Sequence, residues 1–452
     1  MGTTRAAGHA GPPEASGRLS GGWNAFSATA AVLHWVGCLV LAVVALIAAV
    51  TVFVLWSRTR REHVHFEIPR NIDREALMRS MAALTWGRLL EGNAVTVVQD
   101  AGFFDVMLDD VAKATHHVHL ETFLWMNGDV SDRVVAALSD AARRGIEVRV
   151  LVDQRGGKTT SSNAWRALRE AGVDFRVYHR ARPRELGWYN NRDHRKIVVV
   201  DGRIGYTFGH GIADMWGAGR GGGWRDTAAR LEGPVVGELQ MAFLENWIKV
   251  KGQALIGDAY FPRLDAAGTI PMHVAWAAPP ETASAVQRLY YLAIASARHE
   301  IILQNPYFIP DRHAVRLYAE AVARGVNVRL MLPTSGTSDF PIVQHASHYS
   351  YGPLLRAGAT IYEYTRSGIH QKVLIVDREW CTIGSTNFDP RSFRINDEIS
   401  VAIHDAGVAE QLAQAFELDI RGAELWTLER WNGRSFAHRF RDRASVLVKR
   451  QL

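Results

Sequence analysis

The chain has 452 residues, 48% of them apolar, so it has the length of two ordinary domains and can bury a sizeable core. Its formal net charge of +6 favours an anionic partner (nucleic acid, a phosphate ester or an acidic membrane face) and does not choose among them. Two isolated cysteines, Cys38 and Cys381, exclude a disulfide framework and a cysteine zinc site, and no redox role is expected of them.

Residues 1–30 open on a run of Gly, Ala, Ser, Thr and Pro and read as a disordered tail. From Ala31 to Trp56 the chain is apolar and has no Asp, Glu, Lys or Arg. That exceeds the roughly 20 residues a spanning helix needs, so a transmembrane helix is expected over 31–57. A cleavable signal peptide, the alternative, has an apolar core of about 7–15 residues and a small-residue cleavage site. A linker follows over 58–75. Arg58, Arg60 and Arg61 follow the helix, while Arg5 and Arg18 precede it. That bias puts the C-terminal body on the cytoplasmic side.

The body then repeats itself. A strand pattern from Asn93 to Val98 matches one from Met272 to Ala277. A helix pattern follows each, then an apolar strand: Val118 to Leu124 in one copy, Ile301 to Tyr307 in the other. Arg143-Arg-Gly145 matches Ala323-Arg-Gly325, each Gly where a helix should stop before a strand. Strands alternating with helices predict an α/β fold. We expect two pseudo-symmetric α/β sandwich domains with mixed sheets, over 76–268 and 269–452, the second ending in a basic tail.

Each half carries one signature. The first is His194-Arg-Lys196-Ile-Val-Val-Val-Asp201, and the second is His370-Gln-Lys372-Val-Leu-Ile-Val-Asp377. Residues two apart on a strand share a face, so each His and Lys should project together. Of the 52 basic residues only seven are Lys, yet both motifs keep one, where a compact point charge differs from a planar guanidinium fork. The chemistry suggested is phosphoryl transfer. A neutral imidazole can attack phosphorus, and a second can donate a proton to the leaving alkoxide and later activate the acceptor. Two ammonium groups would stabilise the charge on the phosphate oxygens. Lys196 and Lys372 supply the cations, so neither a metal nor another cofactor is expected. Asp201 and Asp377 have the wrong parity to face the phosphate and should fix local structure. Gly384-Ser385-Thr-Asn387 follows the second motif, with Ser385 and Asn387 either phosphate-binding donors or parts of an ordinary polar turn. Asp226 and Glu398 are either orienting partners for the imidazoles or solvated acids.

These residues resemble the phospholipase D superfamily, whose hallmark is the paired His-x-Lys-x4-Asp motif. Within it the chain is similar to the bacterial cardiolipin synthases from about Leu77 to Trp431. The matching stretches include Glu91-Gly-Asn93, Arg192-Asp-His194-Arg-Lys196, Trp224-Arg-Asp226-Thr, Asn305-Pro-Tyr307 and Gly384-Ser-Thr-Asn387-Phe-Asp-Pro-Arg391-Ser. The resemblance implies phosphatidyl transfer from one phosphatidylglycerol to another, with loss of glycerol. It implies that Asp226 and Glu398 orient His194 and His370, that His194 is the nucleophile and that His370 is the acid/base. Two features depart from the family. Phe208-Gly-His210-Gly211 stands where a Gly-Gly-x-Asn stretch is expected, which leaves His210 as a substitute donor or a buried structural His. One spanning helix stands where two are usual.

An anionic phospholipid in a membrane is the expected partner, and nucleic acid is not. The basic C-terminal residues from Arg434 to Arg450, with Phe436 and Phe440 among them, read as a lipid-binding segment or a solvated tail. Trp188-Tyr189 reads as the lining of a lipid groove or as core. The competing functions are a phospholipase D hydrolase with water as acceptor, a nuclease of the same fold, and a catalytically silent membrane scaffold.

Overall fold

The structure is a computed structural model that describes residues 2, 8, 20–57, 72–178, 191–217, 223–277, 284–338 and 340–448. Trp188-Tyr189, most of the 58–75 linker and most of residues 1–19 lie outside the described residues. Residues 1–60 and 61–452 form two units.

In the first unit, a single helix runs from Ser20 to Ser57. It begins earlier than expected, so residues 20–30, read as disordered tail, are helical. Glycine-rich composition lowers helix propensity by about 1 kcal/mol per Gly, too little to stop a helix that a long apolar segment propagates. Within it, the 22 residues Val32–Phe53 have a mean hydropathy of 2.9. At about 1.5 Å per residue they match the roughly 30 Å hydrocarbon core of a bilayer.

The second unit is built on one continuous 15-stranded sheet. Its first half holds β1 (Leu90–Gln99), β2 (His117–Thr122), β3 (Glu147–Asp153), β4 (Asp174–Tyr178), β5 (Ile197–Val200), β6 (Ile204–Phe208) and β7 (Thr227–Glu232). The second half holds β8 (Ile270–Ala277), β9 (Glu300–Gln304), β10 (Asn327–Pro333), β11 (Thr360–Tyr364), β12 (Val373–Val376), β13 (Trp380–Gly384), β14 (Glu398–Ile403) and β15 (Ala423–Trp426). The order is β15-β11-β10-β9-β12-β13-β14-β8-β1-β7-β6-β5-β2-β3-β4. Read outward from the β8–β1 seam, the two sides repeat strand for strand, and β15 is the one addition. Strands β2, β3 and β4 pair in parallel, as do β9, β10 and β11, and the other pairings are antiparallel. The expected mixed sheet is present.

Helices cover both faces because the inner strands are apolar on both sides. Val198 and Val200 of β5 join the core beneath the Gly102–Ala112 and Asp129–Arg143 helices. Ile197 and Val199 face the other way, onto the Val236–Lys251 helix. In β12, Leu374 and Val376 pack toward the Ala285–Ser296 helix, while Val373 and Ile375 share a core with the Ala406–Ile420 helix. The predicted helix stops hold: Gly145 and Gly325 adopt φ of 88° and 89°, where a side chain would be strained.

Asn93 latches the seam. Its amide donates to the carbonyls of Leu90 (2.6 Å) and Ile270 (3.1 Å), and its Oδ1 accepts from Val235 N (2.8 Å). The basic C-terminal stretch forms the Phe436–Val448 helix, packed on the Pro341–Ala357 helix. Asp442 and Ser445 face inward, while Phe436 (84%) and Phe440 (64%) are exposed.

Candidate active site

Both His-x-Lys pairs sit just before their strands, since β5 begins at Ile197 and β12 at Val373. The side chains nevertheless alternate as expected. His194 and Lys196 face a cavity, while Arg195 between them turns into the core. There it donates to the carbonyls of Ala242 (2.7 Å) and Ala277 (3.0 Å) and pairs with Glu245 (2.8 Å).

A single cavity, enclosing about 950 Å³ of empty space that includes open solvent, is lined by His194, Lys196, His370 and Asn387. The segments carrying the two imidazoles are stitched across the halves. His194 N donates to Asp397 O (3.0 Å), and Asp397 N donates to Arg192 O (2.8 Å). In the mirrored contact His370 N donates to Arg225 O (2.8 Å), and Arg225 N donates to Gly368 O (2.8 Å). As a result the carboxylate partners cross over. His194 Nδ1 is 2.9 Å from Glu398 Oε1, and His370 Nδ1 is 2.9 Å from Asp226 Oδ2. Each carboxylate follows one motif in the chain but serves the imidazole of the other, so the expected pairing of Asp226 with His194 and Glu398 with His370 is reversed.

Burial first, then Lys196 and Lys372, hold His194 down to about 4 even with Glu398 beside it. Burial and the same two ammonium groups also lower His370 well below the ordinary imidazole value. Both rings are therefore neutral at neutral pH. Burial lowers the Lys196 amine to about 8. Burial works to raise the Glu398 carboxyl, but His194, Lys196 and Ser385 together hold it below the ordinary value. Burial raises that of Asp226.

The two imidazoles differ in surroundings. Lys372 Nζ lies 2.6 Å from His370 O and against the His370 ring, 2.7 Å from Nδ1 and 3.0 Å from Nε2. Lys196 Nζ instead donates to His194 O (3.0 Å) and sits 5.9 Å from the centre of the Phe123 ring. Phe123 meets the His194 ring edge-on, and Trp216 meets His370 in the same way, each at 5.1 Å.

Two further expectations need correction or refinement. Ser385 does not reach the cavity. It is fully buried, its Oγ donates to Glu398 Oε2, and it accepts from Ile399 N at 3.1 Å. The turn after β13 points this residue inward and the next-but-one outward, so Asn387 lines the cavity and Ser385 braces a carboxylate. His210 is also structural: it is buried, with Nε2 2.9 Å from Asp100 O and its ring stacked on Phe103. Gly211, the counterpart of Asn387, leaves room for Trp216, which a Cβ there would meet at 2.8 Å. Trp216 donates to Asp226 Oδ2 (2.9 Å), so an indole braces that carboxylate as Ser385 braces Glu398.

Asp201 and Asp377 turn away from the cavity. Asp201 accepts from the backbone N–H groups of Thr115, His116 and His117 and from the Thr115 hydroxyl. Asp377 accepts from those of Arg298, His299 and Glu300. Sequence reasoning missed the basic wall of the cavity. Arg155, Arg192 and Arg391 all line it, and burial together with the other two guanidiniums lowers Arg391 to about 10. Arg192 and Arg391 lay within matched stretches without being singled out, and nothing local marks Arg155.

A family described as "Cardiolipin synthase, PLD-like domain" matches residues 107–212 and 290–420, the two halves of this site. The chain belongs to the cardiolipin synthase family of phospholipase D-like proteins. Cardiolipin synthase 1 of Staphylococcus epidermidis is 32% identical over 84% of this chain and 77% of its own length. The major cardiolipin synthase of Bacillus subtilis is 32% identical over 79% of this chain and 75% of its own. Among solved structures, a phosphatidylserine synthase from Haemophilus influenzae shares the fold, with a TM-score of 0.64, 13% identity, and coverage of 83% of this chain and 100% of its own. In this cardiolipin synthase family member the paired halves thus enclose one site.

Proposed function

We propose that the protein is a membrane-anchored phosphatidyltransferase that forms cardiolipin from phosphatidylglycerol through a covalent phosphohistidine. The supporting observation is that two neutral imidazoles, each held at Nδ1 by a carboxylate of the opposite half, line one cavity beside a lysine and three arginines.

The Nδ1–carboxylate contact keeps the proton on Nδ1 and leaves Nε2 as a lone pair. No described residue hydrogen-bonds to His194 Nε2, which favours His194 as the nucleophile. His194 Nε2 bonds to phosphorus while the phosphorus–oxygen bond to the glycerol headgroup breaks. As the anionic phosphate binds it draws Lys372 from the His370 ring, His370 Nε2 takes up a proton from solvent, and it gives that proton to the departing oxygen. Glycerol leaves. The headgroup hydroxyl of a second phosphatidylglycerol then loses its proton to His370 and attacks phosphorus, the phosphorus–nitrogen bond breaks, and His194 returns neutral. Lys196, Lys372 and Asn387 stabilise the charge on the phosphate oxygens. Arg155, Arg192 and Arg391 suit the phosphate of the acceptor lipid, which favours transfer over hydrolysis.

The Val32–Phe53 helix would anchor the enzyme in the cell membrane in a single pass, with the catalytic body cytoplasmic. Phe436 and Phe440, with Arg439 and Arg443 beside them, would rest on an anionic lipid surface.

Purified enzyme supplied with labelled phosphatidylglycerol should yield cardiolipin and glycerol, and His194→Ala should yield neither. Phosphatidic acid as the sole phospholipid product would mean that water is the acceptor.

A further inference from the structure

Away from the catalytic cavity, two helices bring four ligating side chains together. The Pro341–Ala357 helix carries His345 and His348, three residues apart, and the Phe436–Val448 helix carries His438 and Asp442, four apart. Those spacings put each pair on one face of its helix. One ligand atom from each of the four residues lies within 4.8 Å of all the others. His345 Nδ1 is 2.9 Å from Asp442 Oδ1, which is 3.5 Å from His438 Nε2, and that nitrogen is 3.0 Å from His348 Nδ1. Neighbouring ligands on a tetrahedral zinc ion, bonded at about 2.0–2.1 Å, stand about 3.3 Å apart. The observed separations bracket that value.

A second observation concerns the orientation of His348. Its Nε2 lies 2.8 Å from Glu363 Oε1, an oxygen that also accepts from Gln344 Nε2 (2.7 Å) and Tyr351 OH (3.0 Å). Glu363 is a buried carboxylate and draws the imidazole proton to Nε2, which leaves the Nδ1 lone pair aimed into the cluster. Metal-bound histidines are commonly held in this way, by a carboxylate on the far nitrogen. Arg434 pairs with the other oxygen of Asp442, leaving Oδ1 for the cluster.

We propose that His345, His348, His438 and Asp442 bind a divalent transition-metal ion, with zinc the best fit, that fastens the last described helix to the helix leading from the catalytic cavity. Three imidazoles and one carboxylate are a donor set that suits zinc, and four protein ligands close the coordination sphere as in a structural site. Phe340 and Val343, at the start of the first helix, line the cavity. The ion would therefore hold the exposed Phe436 and Phe440 in fixed relation to the cavity wall.

The test uses untagged full-length protein in detergent micelles. Mass-spectrometric metal analysis should find about one zinc per chain. Replacement of zinc by cobalt should give the visible absorption of a four-coordinate cobalt ion. His348→Ala and the milder His438→Gln should each lose both signals while keeping the wild-type circular dichroism. After chelation, limited proteolysis should cut the C-terminal helix at least tenfold faster, as expected when metal binding supplies folding energy. Wild-type protein that takes up neither zinc nor cobalt would overturn the proposal and leave the cluster a hydrogen-bonded network. Retention of both metals by the two variants would also overturn it.

Discussion

Neutral imidazoles flanked by cations set the pH behaviour at the scale of single residues. His194 is held down to about 4, so it keeps its lone pair across the weakly acidic range where a free imidazole would be protonated. Lys196, lowered to about 8, loses its charge as pH rises through that value. On the acid side, kcat/KM should therefore show no limb near pH 6.5, where a free imidazole titrates, and should lose the His194 nucleophile only near pH 4. On the alkaline side, loss of the Lys196 charge should lower it from about pH 8, because kcat/KM reports groups of the free enzyme. An acid limb centred at the ordinary imidazole value would contradict this reading, and a pH series of initial rates decides it. Arg391 tests the acceptor site. Losing a charged hydrogen bond costs about 1.5–3 kcal/mol, so Arg391→Gln should raise the KM for phosphatidylglycerol roughly tenfold or more. It should also raise the share of phosphatidic acid among the products. Unchanged KM and products would remove the arginines from acceptor binding. His194, Lys196, His370 and Lys372 were legible in the sequence because a short rigid motif carries them twice. The brace formed by Ser385 and the approach of Arg155 were not, because the first depends on which way one turn points and the second on distant chain segments converging.

At the scale of elements, the aspartate ending each motif is a fold device. Asp201 and Asp377 sit in left-handed turns, with φ of 53° and 55°, directly after β5 and β12. Each gathers the backbone N–H groups at the start of the neighbouring strand, β2 or β9, and so sets the register of the two strands. Strand parity indicated this role from sequence, since it turned both residues away from the imidazoles. Asp201→Ala would leave three N–H donors without their acceptor and remove the local hydrogen bonds that let a non-glycine residue hold this left-handed turn. It should lower stability by about 1–3 kcal/mol, measured by denaturant unfolding, while the folded fraction keeps near-normal kcat. A thousandfold loss of kcat in fully folded protein would instead give the aspartate a chemical role. The repeat itself was legible because strand and helix patterns recur in the same order in each half. The helix start at Ser20 was not, because a glycine-rich composition describes local preference and not what the neighbouring apolar segment propagates.

At the scale of the whole molecule, the crossed carboxylates make each half incomplete without the other. No local pattern could reveal this: Asp226 and Glu398 each follow a motif in sequence, and only the seam between β1 and β8 sends each to the opposite imidazole. Other ties cross the same boundary. Tyr178 donates to Asp397 (2.6 Å), Arg225 pairs with Asp419 (2.9 Å), and Arg195 reaches Ala277 O. One apolar core also draws on both halves, with Ile197 and Leu239 in the same cluster as Val373 and Phe416. Halves joined by a thin linker would unfold separately, whereas halves that share a core and a sheet should unfold together. Calorimetry of the body should therefore show one transition, in which the calorimetric enthalpy equals the van't Hoff enthalpy. Asn93→Ala, which removes three hydrogen bonds at the seam, should lower that transition without splitting it. Two resolved transitions in the wild type would mean that the halves are independent, and the crossed pairs would then be contacts of docking and not of folding.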